Sequence, residues 1–404
     1  MSSDRDEPSP REPAVDAVLD LREGALAGAA TREVSITDAF EGAVLAEDVV
    51  PEADVPARTI ATMDGFAIDA TREYPLTVVD EAFPEDDPPA MAPEEAVRVA
   101  TGAPIPAGAN AVCKVEETTV RNDQLEGPDL SPGTFVYERG SNVAAGEVLF
   151  EAGETLAPRD AILLRDLGRE RVTVREPFDV GLLATGTEIH EGRSADLDSP
   201  MLASLVRAWG HHGTIEGSVP DEYDRVEDAI ARVAADRDVV LTTGGTSVGE
   251  KDHVVRALDA LGEVHVHRVR LRPGKPIAVA TLAEQDAVVF AIPGKPVGAH
   301  AVTTLVARPF FTGDRQIPRV SATAGDSVGV PVEGFEYAIP VTLSDGTAAP
   351  LGKQGSALAV YDETFDPSVL SSSTRATRAD GFVLTESDFV EGERIDVVPY
   401  RVLE

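Results

Sequence analysis

The stretch Val239-Val-Leu-Thr-Thr-Gly-Gly-Thr-Ser-Val-Gly-Glu250 decides the fold of this 404-residue chain. Its apolar run, Val239–Leu241, has the continuous hydrophobicity of a strand that is buried on both faces of a sheet. A glycine-rich loop follows, and the pattern beyond it predicts a helix from about Asp252 to Leu261. A buried strand, a glycine loop and a helix in this order are typical of a βα unit in a parallel sheet.

The same order of elements recurs on both sides of this stretch. Val180–Ala184 and Ala287–Ile292 are further apolar runs of strand length, and a helix is predicted from about Pro296 to Phe311. The alternation of strands and helices predicts a doubly wound, largely parallel α/β domain over residues 176–315.

The C-terminal and inserted regions have a different character. Short strand-like runs with frequent proline and glycine indicate a β-rich unit at residues 51–138 and a small all-β domain at 316–404. The strands predicted for the C-terminal domain are Tyr337–Thr342, Ala357–Tyr361, Gly381–Thr385 and Ile395–Val398.

The N-terminal region begins without any hydrophobic period. Residues 1–12 are therefore predicted to be a disordered acidic tail. A helix from Pro13 to about Ala30 follows, and then a short helix at Ile36–Phe40 and a strand at Leu45–Val50 are predicted.

The charge of the chain excludes some classes of partner. There are 35 Lys+Arg and 71 Asp+Glu, and 35 − 71 gives a net charge of −36. Such an acidic excess argues against binding to nucleic acid or to an anionic membrane, because both need clustered cations. Acid spread along the whole chain, with lysine at only five positions, is typical of adaptation to high salt.

Three further features of the sequence limit its location. The single cysteine, Cys113, excludes a disulfide within the chain. There is no apolar run long enough for a membrane span and no signal-peptide pattern, so we expect a cytoplasmic protein.

Candidate chemistry collects in three loops that follow predicted strands. Glycines there let the backbone approach a ligand closely, and the helices after two of the loops favour an anion. The cations Arg272 and Lys275 lie in a nearby Pro-Gly loop, and carboxylates such as Glu188, Glu250 and Asp252 suit Mg²⁺. The residues alone predict a phosphorylated ligand bound with Mg²⁺, in a site that is neither a P-loop nor a dinucleotide fingerprint.

Several motifs together resemble the molybdopterin molybdenumtransferases, or molybdenum insertases, a family that includes the gephyrin E-domain. The resemblance runs from about residue 14 to 400 and rests on motifs in the family's order: Thr62-Met-Asp-Gly-Phe-Ala67, Thr101-Gly-Ala-Pro-Ile-Pro106, Arg139-Gly140, Ala184-Thr-Gly-Thr-Glu188, Thr243-Gly-Gly-Thr-Ser-Val-Gly-Glu250, Arg272-Pro-Gly-Lys-Pro276 and Pro293-Gly-Lys-Pro296.

The resemblance implies a homodimer of multi-domain α/β-plus-β chains. Residues 13–50 and 139–175 would form a linker domain in two segments, with the β-rich domain 51–138 inserted between them. The central α/β domain would resemble the molybdopterin adenylyltransferases, and the C-terminal domain would be like a β-barrel.

The reaction implied by the resemblance inserts molybdenum from molybdate into adenylylated molybdopterin (molybdopterin-AMP) and releases AMP, with Mg²⁺ as cofactor. Its implied catalytic residues are Asp64, Glu188, Asp252 and Lys275, of which the three carboxylates would also hold the metal. Its implied substrate-binding residues are Thr101, Asp221, Gly244, Gly245, Ser247, Gly249, Arg272 and Lys295. Because Asp64 lies in the inserted domain, the site is expected to form between two subunits. Recipient molybdoenzyme apoproteins are further possible partners.

The sequence departs from the family pattern at several places. Lys295 and Gly298 stand where the family usually has Asn and Ser, Asn142 stands where an acidic residue is common, and Asp198-Ser199-Pro200 replaces Asp-[Ser/Thr]-Asn. These changes leave three alternatives open: a tungstate-preferring insertase, a nucleotide-hydrolysing relative, and a non-catalytic molybdopterin-binding scaffold or carrier.

Overall fold

The computed structural model describes residues 7–37, 42–245, 253–356 and 358–404. These residues form two compact units. The first contains the described residues before Glu33, residues 42 and 43, and those after Val174, whereas the second contains the described residues in 33–37 and 44–174. Within the described ranges, no helix is both long and apolar enough to cross a membrane.

The secondary structure follows the chain order. The helices are α1 (Arg11–Gly28), α2 (Asp160–Asp166), α3 (Thr187–His190), α4 (Asp198–Ala208), α5 (Tyr223–Ala234), α6 (His253–Leu261), α7 (Pro296–Val302), α8 (Arg308–Thr312) and α9 (Pro367–Leu370). The strands are β1 (Thr31–Ser35), β2 (Ile60–Ala61), β3 (Gly65–Ile68), β4 (Leu76–Ala82), β5 (Glu95–Val99), β6 (Ala111–Lys114), β7 (Thr119–Arg121), β8 (Gln124–Glu126), β9 (Val136–Tyr137), β10 (Arg171–Arg175), β11 (Asp179–Thr185), β12 (His212–Val219), β13 (Val239–Thr243), β14 (Glu263–His267), β15 (Leu271–Arg272), β16 (Ala278–Leu282), β17 (Ala287–Ile292), β18 (Val320–Ala324), β19 (Glu336–Ser344), β20 (Thr347–Pro350), β21 (Gly381–Thr385) and β22 (Arg394–Pro399).

The central sheet of the first unit confirms the predicted doubly wound domain. Its strand order is β12-β11-β13-β17-β16-β14, and the first four strands run parallel. Helices α5 and α6 pack on one face, where Leu183, Val240 and Val289 join their apolar residues in one core cluster. Strand β16 runs antiparallel to both of its neighbours, β17 and β14, which the sequence did not predict. Mixed sheets of this kind are common, and antiparallel neighbours need no crossover helix between them.

The parallel strands end together at one edge of this sheet. Thr185 is opposite Val219 in the β11–β12 ladder, and Thr243 is opposite both Ala184 and Ile292. The loops that follow these strands therefore meet, as is general for the carboxyl ends of parallel strands.

The C-terminal strands form a closed barrel. Five strands pair in the order β19-β20-β18-β22-β21, and β21 pairs back with β19. The prediction of a strand at Ala357–Tyr361 is wrong over residues 358–361, where Tyr361 makes only an isolated bridge to Lys353, and Ala357 itself lies outside the described residues. Strand β15 extends the same sheet by pairing in parallel with β19, although it lies far earlier in the chain.

The N-terminal segment is more ordered than the sequence suggested. Of the predicted disordered tail, residues 1–6 lie outside the described residues, but Ser9 bridges Val269 and α1 already begins at Arg11. The guanidinium of Arg270 binds the carbonyl oxygen of Pro8 and the carboxylate of Glu7, and these contacts hold the segment. Helix α1 clusters with the first unit, although the resemblance had placed it in the linker domain.

The second unit is β-rich, as predicted. Its main sheet has the order β6-β3-β5-β4-β8-β7, with β3 buried along its whole length. The predicted strand at Leu45–Val50 is replaced by isolated bridges such as Leu45–Val174. The predicted short helix at Ile36–Phe40 falls largely outside the described residues, and residues 36 and 37 form a turn.

Candidate functional site

A cavity of about 290 Å³ opens at the carboxyl edge of the parallel strands. It lies where the loops after β11, β12, β13 and β17 meet. Its lining comprises Thr185, Gly186, Glu188, Ile189, Ser194, Ala195, Asp196, Leu197, Asp198, Asp221, Thr243, Gly244, Gly245, Gly294 and Pro296. The structure therefore brings together four residues that the sequence assigned to one site, namely Glu188, Asp221, Gly244 and Gly245.

Glycines allow these loops to pack closely. Gly244 has φ +87°, and a Cβ on it would lie 2.6 Å from the carbonyl oxygen of Thr185. A Cβ on Gly294 would lie 3.0 Å from the Cα of Gly244. Any side chain at either position would force these strand ends apart, so glycine is required to shape the cavity.

Glu188 and Asp221 reach the cavity from neighbouring loops. Glu188 is an exposed residue of the short helix α3, and its carbonyl oxygen accepts the N–H groups of Arg193 and Ser194. The backbone N–H of Asp221 donates to the Thr187 hydroxyl at 3.1 Å. The Oδ1 atom of Asp221 is buried and has no hydrogen-bond partner among the described residues.

Asp198 is a cavity residue to which the sequence reading assigned no role. It begins α4, where the Asp196 carboxylate accepts its N–H, and its side chain is buried. The Thr243 hydroxyl donates to Oδ2 at 3.1 Å, but Oδ1 has no partner among the described residues. Burial raises the pKa of Asp198 to about 6, the Asp196 charge adds to this rise, and the Thr243 hydrogen bond opposes it. The feature of the sequence that could have identified Asp198 as a site residue is its place in the family's Asp-[Ser/Thr]-Asn pattern.

The carboxylates of the cavity suit Mg²⁺ by their donor type. No group of three His, Cys, Asp or Glu within the described ranges is arranged to hold a metal, and Asp252 lies outside those ranges, as do Ser247 and Gly249. Mg²⁺ does not need such a cage, because it commonly binds one or two carboxylates together with phosphate oxygens and water. The unpartnered buried oxygens of Asp198 and Asp221 fit that chemistry.

Arg272 ends β15 and Lys275 lies in the loop after it, and neither residue lines the cavity. No ion pair among the described residues includes either of them. The pKa of Lys275 is lowered by burial and then by the charges of Arg272 and Arg268. The loop abuts the first turn of α7, because a Cβ on Gly298 would lie 3.4 Å from the backbone nitrogen of Gly274. Two cations with no carboxylate partner are able to bind an anion.

Lys295 lies just before α7 and contacts the segment around α9. Its Nζ donates to the carbonyl oxygen of Ser368 at 3.0 Å, and it is not among the cavity-lining residues. Two residues on, the N–H of Val297 donates to the carbonyl oxygen of Ser371. The substrate-binding role of Lys295 stays a prediction.

Asp64 and Thr101 form their own arrangement in the second unit. The backbone N–H and the hydroxyl of Thr101 both donate to Asp64 Oδ1, at 2.6 and 2.8 Å. These hydrogen bonds, the backbone one foremost, lower the pKa of Asp64, and the charge of Arg98 adds to the effect. The exposed Asp64 lines a cavity of about 250 Å³ together with Arg98 and Phe83. Thr101 thus holds Asp64 ionised.

Comparison with known proteins matches two family models and several relatives. Residues 12–168 match the MoeA N-terminal region (domain I and II), and residues 181–313 match a probable molybdopterin binding domain. The chain is 30% identical over 294 residues to a molybdopterin molybdenumtransferase of Synechococcus elongatus, covering 67% of this chain and 73% of the relative. It is 32% identical over 282 residues to one of Haemophilus influenzae, covering 66% and 69%.

Solved structures agree with these matches over almost the whole chain. The molybdopterin biosynthesis MoeA protein from Pyrococcus horikoshii aligns with a TM-score of 0.69 and 26% identity, covering 98% of this chain and 99% of that one.

Proposed function

Because the chain belongs to the molybdopterin molybdenumtransferase family, we propose that it is a transferase of molybdenum cofactor biosynthesis that inserts molybdenum from molybdate into adenylylated molybdopterin and releases AMP. The observation that carries the proposal is the cavity at the carboxyl edge, where Asp198 and Asp221 present buried oxygens that have no hydrogen-bond partner in the described part of the chain.

The reaction has to bring two anions together, and the cations of this chain can offset their repulsion. Arg272 and Lys275 are unpaired among the described residues and are suited to the tetrahedral oxyanion. Gly244 and Gly294 let the loops after β13 and β17 pack closely at the cavity, where a phosphate could approach their backbone. We assign Lys275 and Arg272 to molybdate or to the terminal phosphate.

The carboxylates would hold the Mg²⁺ that accompanies the nucleotide. Glu188, Asp198 and Asp221 are the described candidates, and Asp252 remains a proposed ligand from the resemblance. When bound, Mg²⁺ supplies positive charge that stabilises the developing charge on the phosphoanhydride. The role of the protein is to hold these carboxylates around the cavity, where their oxygens are available to the ion.

The protein is further proposed to act as a homodimer. The resemblance assigns Asp64 and Thr101 of one copy to the reaction of a second copy. Mixed dimers of Asp64→Asn with Glu188→Gln test this assignment, because half of their sites would be unaltered. Restored AMP release in the mixture, with both parent variants inactive, supports shared sites, whereas its absence contradicts them.

The test of the function follows AMP release and metal retained on the pterin. Purified protein is assayed with adenylylated molybdopterin, Mg²⁺ and either molybdate or tungstate, in molar KCl because a net charge of −36 predicts a salt requirement. Glu188→Gln should abolish turnover. Glu284→Gln is the matched control, since this exposed glutamate precedes β17 at the opposite edge of the sheet.

The assay also separates the alternatives. AMP release coupled to metal insertion identifies the insertase, and the better oxyanion shows whether it prefers molybdate or tungstate. Tight pterin binding without AMP release would contradict the proposal and favour a scaffold or carrier.

A further inference from the structure

Phe335 lies against both cations of the proposed oxyanion site. The Arg272 guanidinium carbon is 4.1 Å from the centroid of the Phe335 ring, and Lys275 Nζ is 5.9 Å from it. The ring comes from the turn before β19, in the C-terminal domain, whereas Arg272 ends β15 and Lys275 lies in the loop after it. One aromatic ring thus contacts two like charges.

The cations have no carboxylate to neutralise them within the described part of the chain. Glu336 follows Phe335 directly, but its Oε2 atom accepts from Arg11 Nε at 2.6 Å. The shift in the pKa of Lys275 has burial and two neighbouring arginines as its causes, so an opposing charge does not stabilise the ammonium. This is unusual in a chain with 71 acidic residues.

The backbone fixes the ring and the cations to the same sheet. Strands β15 and β19 pair in parallel, with Leu271 opposite Glu336 and Arg272 opposite Tyr337. The N–H of Glu336 donates to the carbonyl oxygen of Arg270 at 2.8 Å. On the other side, the carbonyl oxygen of Lys275 accepts from two backbone N–H groups. The contact between ring and cations therefore has little freedom to open.

We propose that Phe335 is a positioning residue for the oxyanion, an inference that rests on the proposed function of Arg272 and Lys275. The negative face of the ring attracts both cations but, unlike a carboxylate, does not neutralise their charge. Contact with the ring at 4.1 Å restricts the guanidinium, and its N–H donors that have no carboxylate partner among the described residues remain available to an oxyanion. The C-terminal barrel thereby takes part in anion binding through an apolar side chain.

Direct binding of molybdate, tungstate and inorganic phosphate to the full-length protein tests the inference. Isothermal titration calorimetry gives Kd for the wild type, Phe335→Leu and Phe335→Tyr, and thermal melting reports the fold of each. Phe335→Leu keeps an apolar side chain but removes the ring, and it should weaken oxyanion binding about three- to thirtyfold, the range of cation–π energies. Phe335→Tyr keeps the π face and should restore nearly all of the affinity.

Phe389→Leu is the matched control. Phe389 is a buried aromatic residue of the same barrel, and none of the cation–ring contacts among the described residues involves it. This variant should lower the melting temperature and leave the oxyanion Kd unchanged. If Phe335→Leu binds oxyanions as the wild type does, or if Phe335→Tyr is as weak as Phe335→Leu, the positioning role is wrong.

The outcome is independent of turnover. A wild type that binds oxyanion but releases no AMP would contradict the proposed function, and a loss of binding in Phe335→Leu would still support the role of the ring. In an active enzyme, Phe335→Leu should raise the KM for molybdate and leave the KM for adenylylated molybdopterin unchanged. A wild type that binds none of the three oxyanions would overturn the inference.

Discussion

Asp64 in the second unit and Asp198 in the first are two aspartates in opposite environments. Asp64 is exposed, and Thr101 gives it two hydrogen bonds, so its pKa falls. Asp198 is buried with one hydrogen bond and one unpartnered oxygen, and its pKa rises to about 6. The fold stabilises the first carboxylate in its charged form and destabilises the second.

The difference teaches which carboxylate is incomplete without a ligand. An aspartate that is hydrogen-bonded and solvated is stable in its ionised form without a ligand, and it can recognise a substrate from a fixed position. A buried carboxylate with an unpartnered oxygen costs folding free energy, which a bound cation would return. Asp198 therefore has the properties expected of a metal ligand, although of these two aspartates only Asp64 was predicted from the sequence to bind the metal.

The largest effect on turnover is expected when the charge of Asp198 is removed. Asp198→Asn should lower AMP release by about 10–100-fold, as loss of a metal-site group commonly does. The same change should not lower the melting temperature at pH 8, because it removes a buried charge. The measurements are the assay above across Mg²⁺ concentrations, and thermal melting.

Asp259→Asn serves as the control for this change. Asp259 is exposed on α6, so its replacement should alter neither activity nor stability. An Asp198→Asn protein that melts earlier and turns over normally would show that the carboxylate is structural.

The pH dependence of stability should have opposite signs at the two aspartates. Asp198 has a folded pKa of about 6, above the unfolded value, so it penalises folding when ionised in both states. The penalty grows as pH rises from about 4 to 6 and reaches about 3 kcal/mol above that window. For Asp64 the pKa is lowered, so its stabilising effect is present above the unfolded pKa and is lost as pH falls through the folded one.

Denaturant unfolding between pH 4 and 8 measures the effect of Asp198. The difference in unfolding free energy between Asp198→Asn and the wild type isolates the one group, since the other carboxylates are shared. The variant should gain stability relative to the wild type as pH rises. A difference that does not change with pH would contradict the raised pKa.

Removing one of the two hydrogen bonds to Asp64 should lower turnover less than Asp198→Asn does. Thr101→Val deletes the hydroxyl that donates to Asp64 and keeps the backbone donor at 2.6 Å. The pKa of Asp64 should rise, and turnover should fall by about two- to tenfold, the range for one ordinary hydrogen bond. Carboxyl-carbon NMR titration of Asp64 measures the first effect, and Thr101→Ser should restore both. A turnover loss as large as that of Asp64→Asn would mean that the hydroxyl contacts substrate itself.

The smallest effect is expected at Lys295, which lies outside both carboxylate sites. Lys295→Ala removes the donor to Ser368 and should cost about 0.5–1 kcal/mol of stability, as for a modest hydrogen bond. Oxyanion Kd should stay the same, and Lys295→Asn, which introduces the usual family residue, should behave alike. Loss of oxyanion affinity in either variant would support the original assignment of Lys295 to substrate.

The sequence predicted those parts of the site that depend on local pattern and on the rule for parallel strands. Apolar runs identified β11, β13 and β17, and the loops after them had to meet at one edge. The same rule places Glu188 and Gly244 together, whereas Asp221 is assigned only by the family resemblance. The reversed direction of β16 carries no sequence signal, so the sequence does not predict it.

The remainder depends on contacts between distant parts of the chain. Asp198 matters because α4 and β13 bury it, and its partner Thr243 is 45 residues away. Lys295 reaches a carbonyl oxygen 73 residues later, and Arg270 orders residues more than 260 positions earlier. Whether side chains so far apart in the sequence come into contact depends on tertiary packing. The hydrophobic periodicity of the sequence does not encode that packing.

The membership of β15 in the barrel sheet has a consequence for recombination between relatives. Leu271 and Arg272 belong spatially to the C-terminal barrel, although the α/β sheet continues after them with β16 and β17. A chimera that exchanged residues 316–404 at the apparent boundary would pair β15 of one parent with β19 of the other. Chimeras should fold when residues 268–275 are exchanged together with the barrel. The structural unit that has to be exchanged therefore consists of two separate segments of the chain.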